Sequence, residues 1–360
     1  MKALRIHAGP VALAHIKAKG LNPQDISVIP GAAGGPKGLI LGPIDRYLFH
    51  QWLPRSNQPI DLVGASIGAW RMATACLPDP RAELLALEEA YVHQDYKLVP
   101  GQNRPTAQQV SDDFSANLHR FYDGRIHKVL QHPRYRLHVM TSHGRGILHR
   151  DTPMRTALGY AGAYLTNAIS RRAMGLWLER VVFSSAFLGH PQPLPFHTKD
   201  YRTKHLALSE ENFLQAVLAS CSIPFVLKAV HDIDGAPGGA YWDGGITDYH
   251  LHLDYRAAKG LTLYPHFQKQ VVPGWLDKKL KRRHVATPFL DTTIVLAPNP
   301  EWVKTLPNGK LPDRSDFMTY KRDLSGRVKV WQTAIAESGR LADELAEWLL
   351  RPDSAQVQAL

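Results

Sequence analysis

Ile60-Asp61-Leu62-Val63-Gly64-Ala65-Ser66-Ile67-Gly68 is the stretch whose reading decides the fold of this chain. Its first four residues form a short apolar run of strand type, and residues 67–77 have helical composition that stops at Pro78. Between them, Gly64-Ala65-Ser66-Ile67-Gly68 matches G-x-S-x-G, a tight strand-to-helix turn that lifts a serine hydroxyl off a strand end. Glycine flanks the serine because a Cβ there collides with the neighbouring strand and helix. Ser66 is therefore the candidate nucleophile, with Gly64 and Gly68 as its elbow. The plain alternative is a serine in an ordinary strand-to-helix turn.

A similar unit lies upstream. Ile26-Ser27-Val28-Ile29-Pro30 reads as a buried strand running into Gly31-Ala32-Ala33-Gly34-Gly35-Pro36-Lys37-Gly38, with a helix predicted from about Leu39 to Leu53. Two strand–glycine–helix units in the first 80 residues predict a parallel sheet with crossover helices. Adjacent parallel strands bring both turns to one sheet edge, so the bare amides of residues 31–38 become candidate oxyanion donors beside Ser66. A Walker A loop needs Gly where Pro36 stands and Ser or Thr where Gly38 stands, and a dinucleotide loop needs Gly at Ala33. A helix-capping turn is the remaining alternative.

A serine nucleophile also needs a base. The 18 histidines offer too many partners for a Ser-His-Asp triad to be chosen by counting. Among the Asp-Gly dipeptides at Asp123, Asp234 and Asp243, only Asp243 follows a strand-like run, Ala240-Tyr241-Trp242, and precedes a second glycine. Asp243 is the carboxylate candidate, against the commoner fate of a turn aspartate.

Elsewhere, helices are predicted at 10–19, 81–96, 106–131, 151–180 and 209–220, and strands at 135–140, 261–264 and 293–297. Residues 183–198 read as a Pro-rich, lid-like loop. A final amphipathic helix carries Val328, Trp331, Ile335, Leu341, Leu345 and Trp348 near one face.

Composition narrows the class. With 44% apolar and 21% charged residues, the 360-residue chain is neither disordered nor fibrous, and two cysteines exclude a disulfide framework. The N-terminal segment is interrupted by Arg5, His7, His15 and Lys17, so it lacks a signal-peptide core and predicts a cytoplasmic protein. No metal is expected, since His250-x-His252 has no third clustered ligand, and no cofactor is implied. The net charge of +11 favours acidic partners, and Lys278-Lys279-Leu280-Lys281-Arg282-Arg283 concentrates it just after Trp275. Near an anionic membrane each cation contributes ~1 kcal/mol, which predicts peripheral contact; a solvated loop is the alternative. Nucleic acid is not expected, because no recognition signature accompanies the charge.

The ordered set Gly34-Gly35-Pro36-Lys37-Gly38, Gly64-Ala65-Ser66-Ile67-Gly68, Ala219-Ser220-Cys221-Ser222-Ile223-Pro224 and Asp243-Gly244-Gly245 resembles the patatin-like phospholipase family. It departs from the family at Ala32 and Ala33, which stand in place of an acid and a glycine, and at Ser222, which replaces the usual alanine. The resemblance implies a three-layer α/β/α sandwich with a mainly parallel central sheet, acting on lipids or other acyl esters. It also implies a Ser-Asp dyad without histidine: Asp243 takes the Ser66 proton, amides of Gly34, Gly35 and Gly38 hold the oxyanion, and Lys37 adds positive charge. The expected organisation is a catalytic domain over 1–325, with 81–200 as a helical insertion, and a C-terminal amphipathic helix and tail over 326–360. A catalytically silent lipid-binding protein and a triad esterase are the alternatives.

Overall fold

The computed structural model describes residues 1–96, 102 and 104–360, and in it the two glycine turns sit side by side. The strands in chain order are β1 (Leu4–Ala8), β2 (Ile26–Gly31), β3 (Ile60–Ala65), β4 (Tyr135–Gly144), β5 (Leu178–Phe187), β6 (His190–Pro191), β7 (Thr203–Leu208), β8 (Val230–His231), β9 (Ala240–Asp243), β10 (Leu261–Pro265), β11 (Thr293–Pro298) and β12 (Val357–Ala359). Their order is β12-β1-β11-β10-β2-β3-β4-β5-β6, with β7 beside β5 and β9 beside β4. From β11 to β4 every pairing is parallel.

β2 and β3 are buried along their whole length, as strands covered by helices on both faces must be. The Ile67–Ala75 helix packs on β2 and β3, Phe213–Cys221 on β4 and β9, and Gly339–Leu350 on β1. The result is a mixed, mostly parallel sheet in an α/β/α arrangement. Gly31 pairs with Gly64, so the glycine loop and Ser66 leave the sheet at the same edge.

Several elements differ from expectation. The helix predicted at 39–53 is broken: a 3-10 segment (Gly35–Leu41) passes into Gly42–Tyr47 and then a π segment, Leu48–Trp52. Gly42-Pro43 explains the break, since proline has no N–H to give a continuous helix. Residues 178–180, expected as helix, and 183–187, expected as loop, form β5 instead. Charges at Glu179 and Arg180 disguise this strand, but both are buried and paired. Arg180 Nε donates to Asp248 Oδ2 at 2.8 Å and its Nη2 to Asp200 Oδ2 at 3.0 Å, while Arg202 Nε donates to Glu179 Oε2 at 2.8 Å. Of the aromatics expected in a lid, Phe183 and Phe196 are core residues and Phe187 is exposed.

The 81–200 block is not wholly helical, because β4 and β5 belong to the central sheet; residues 97–101 and 103 of it lie outside the described residues. The C-terminal helix is two helices, Leu324–Glu337 and Gly339–Leu350, separated at Ser338. The tail is not free either: β12 pairs in parallel with β1.

Candidate active site

β4 is longer than its neighbour. Its residues 135–140 pair with β3, and one step beyond, Thr141 pairs with Asp243 of β9, which runs antiparallel. The opposite edge of β4 is occupied by β5 over 138–144, so β3 and β9 share one edge and meet end to end. That meeting brings residues 66 and 243 together across 177 positions of sequence.

The elbow has little spare room. A Cβ on Gly64 falls 2.3 Å from Ala69 Cα, and one on Gly68 falls 1.8 Å from the Gly31 carbonyl oxygen. Both obstacles are backbone and cannot swing aside. Gly68→Ala is therefore expected to destabilise the fold by about 3 kcal/mol or more, read from urea denaturation; an unchanged midpoint contradicts this packing. Ser66 itself adopts φ 56° and ψ −132°, a conformation that costs a non-glycine residue on the order of 1–3 kcal/mol.

That strained conformation is held from several sides. The Ser66 N–H donates to Ser220 Oγ at 2.9 Å, and Ser220 Oγ donates to the Met140 carbonyl at 2.7 Å. The Ser66 hydroxyl donates to Asp243 Oδ2 at 2.7 Å, and the Gly245 N–H donates to Asp243 Oδ1 at 2.7 Å. The Asp243 backbone is clamped as well: its N–H donates to the Ser222 carbonyl at 2.9 Å, and Ser142 Oγ donates to its carbonyl at 2.9 Å. Burial raises the Asp243 carboxyl above the usual range, opposed by Arg314 and by the Ser66 and Gly245 hydrogen bonds.

Two spaces meet at Ser66. One, of about 240 Å³, is lined by Gly34, Lys37, Asp243, Trp275, Lys278 and Arg314. The other, a groove of about 820 Å³, is lined by Gly35, Phe114, Phe225, Leu227 and Phe317 among others. Ser66, Ile223 and Arg314 line both. Three cations, Lys37, Lys278 and Arg314, line the smaller space against two carboxylates, Asp243 and Asp313, and Asp313 is itself paired with Lys310 at 2.9 Å, so the balance of charge there is positive. The Lys278 side chain is exposed, yet its ammonium lies 4.2 Å over the Tyr249 ring. Burial, with Arg314 and Lys37 nearby, pushes its pKa down to about 8.

Of the residues expected from sequence, Ser66, Asp243, Gly34 and Lys37 share the smaller space, and Gly35 lines the groove. Gly38 lines neither; it sits behind the loop, beside Ile67 and Arg71. His250 and His252 are taken up in holding the 270–272 segment, His252 Nδ1 lying 2.7 Å from the Val271 carbonyl. Ser220, Ser142 and Arg314 were not anticipated. Ser220 lies inside the Ala219–Pro224 motif, whereas Arg314 sits in irregular chain that carries no periodic signal.

The described residues do contain a Ser-His-Asp hydrogen-bond chain. It joins Ser184 Oγ to His138 Nδ1 at 2.7 Å and His138 Nε2 to Asp61 Oδ1 at 3.0 Å. Ser184 and His138 are wholly buried within β5 and β4, and neither lines the spaces at Ser66.

No curated protein matches the chain. A family model described as Patatin-like phospholipase matches residues 34–250, which include the glycine loop, the elbow and Asp243. Because that match spans more than half of the chain, the protein belongs to the patatin-like phospholipase family.

Proposed function

We propose that this protein, whose family is one of lipid acyl hydrolases, is a serine esterase of acyl lipids in which Ser66 is the nucleophile and Asp243 the base. The observation that carries this reading is the 2.7 Å hydrogen bond from the Ser66 hydroxyl to a buried carboxylate. Among the described residues no histidine hydrogen-bonds to either group, which favours a dyad over a triad.

In the first half-reaction Ser66 Oγ attacks the ester carbonyl carbon while Asp243 Oδ2 takes its proton. The carbonyl oxygen becomes an oxyanion, within reach of the bare amides of the Gly34-Gly35 turn and the charge of Lys37. Collapse expels the alcohol, which leaves with the proton from Asp243, and the acyl group stays on Ser66. Water then attacks that ester, Asp243 takes and returns its proton, and the acid departs. The groove lined by Phe114, Phe225 and Phe317 suits the acyl chain, and the cationic space suits an anionic head group such as a phosphodiester. Lys278, the first cation of the basic run 278–283, lines that space and adds to its attraction for such a head group.

A fluorophosphonate probe tests the reading directly. It is expected to add covalently to the peptide containing Ser66 in the wild-type chain and to no peptide in Ser66→Ala. A chain that leaves Ser66 unlabelled behaves as a silent scaffold, and the hydrolase assignment of these residues fails.

A further inference from the structure

The helix Pro153–Ile169 has no acidic residue and a single charge, Arg155, among its 17 residues. Its inner side packs on a cluster that includes Trp242, the residue before Asp243, and Trp275, a wall of the cationic space. Its outer side is bare. Met154, Leu158, Leu165 and Ile169, spaced along one helical face, are between 60 and 86% exposed, and exposed alanines fill the gaps. Leu176, just past the helix, is 69% exposed. Single exposed apolar side chains are ordinary, but a contiguous stripe marks a surface that meets something. The outer face of Gly339–Leu350, by contrast, carries Arg340, Asp343 and Glu347.

Two neighbours say what it meets. The basic segment is fastened to the C-terminal end of this helix: Arg282 Nη2 donates to the Ala168 carbonyl at 2.7 Å and Arg283 Nη2 to the Asn167 carbonyl at 2.6 Å. Lys279 and Lys281 remain exposed beside it, and among the described residues neither has a carboxylate partner. On the other flank, Tyr160 of the helix lies 6.4 Å from the ring of Phe225, and Phe225 and Val226 are exposed at the wall of the groove that leads to Ser66. An apolar stripe edged with cations and free of acids is complementary to an anionic bilayer, with acyl chains below and phosphates at the rim. Among the described residues no helix is long and apolar enough to cross a membrane.

We propose that the outer face of Pro153–Ile169, together with Lys279 and Lys281, is the surface by which this protein docks on anionic lipid bilayers, setting the groove at Phe225 against the lipid. The proposal rests on the hydrolase reading only for the purpose of that orientation.

Vesicle co-sedimentation tests it, using phosphatidylcholine alone and phosphatidylcholine mixed with phosphatidylglycerol. The wild-type chain is expected to bind the mixed vesicles at least tenfold better, with affinity falling as salt rises. Leu158→Ser/Leu165→Ser/Ile169→Ser and Lys279→Glu/Lys281→Glu are each expected to lose at least tenfold in binding while hydrolysing the soluble ester p-nitrophenyl butyrate at the wild-type rate. That soluble turnover also reports that the variants are folded, since these side chains are at the surface. Ser66→Ala is expected to bind vesicles like wild type, which separates docking from chemistry. Undiminished vesicle binding by the triple serine variant overturns the proposal. So does a wild-type chain that ignores vesicles and self-associates through this face, becoming monomeric in the triple variant.

Discussion

Ser66→Ala is expected to lower turnover of p-nitrophenyl butyrate and of phospholipid by on the order of 10⁵-fold, with the circular dichroism spectrum unchanged. The substitution removes only the attacking oxygen. The backbone position of residue 66 is held by the N–H bond to Ser220 Oγ and by the packing of Gly64 and Gly68, none of which needs the hydroxyl. Lining residues of both spaces stay in place, so substrate affinity should change far less than turnover. Activity within tenfold of wild type in Ser66→Ala, measured on protein free of contaminating esterase, overturns the assignment of the nucleophile.

Asp243→Asn is expected to cost on the order of 10³- to 10⁴-fold in kcat, the range that a positioned general base supplies. An asparagine oxygen still accepts from the Gly245 N–H, and the side chain has nearly the same shape, but it cannot take a proton. The pH profile carries the finer test. A base acts only in its charged form, and burial raises the Asp243 carboxyl above the ordinary aspartate range. The acid limb of kcat/KM in the wild type should therefore lie above that range, with activity lost as pH falls through the raised value. The residual activity of Asp243→Asn should show no such limb. An Asn variant that keeps both its rate and its acid limb assigns the base to another group.

How much of this was legible beforehand depended on whether a residue's environment was local. The Ile26–Gly38 and Ile60–Gly68 units were readable because a short apolar run, glycines and a helix follow one another within a dozen residues, and each step has a local cause. Asp243 was found for the same reason, standing at the end of a strand before two glycines. β5 was not, because Glu179 and Arg180 have the look of solvent-facing residues until Asp248, Asp200 and Arg202 arrive from elsewhere to pair them. Arg314, which faces Ser66 from irregular chain, left no pattern at all. The stripe at Met154, Leu158, Leu165 and Ile169 read simply as helical periodicity; only the packing of the opposite side on Trp242 shows that these residues face outward.

The end-to-end meeting of β3 and β9 also sets a timetable for synthesis. β2, β3 and β4 are complete once residue 144 has left the ribosome, so the nucleophile's half of the sheet can assemble early. The carboxylate emerges a hundred residues further on, and must then zip onto the free end of β4 through three residue pairs. Closures between parts so distant in sequence come late in folding. On the proposed mechanism, a nascent or truncated chain carries Ser66 with neither Ser220 to hold its backbone nor Asp243 to take its proton. Competence to attack acyl lipids then arrives together with the finished fold, which spares the cell a half-made lipase.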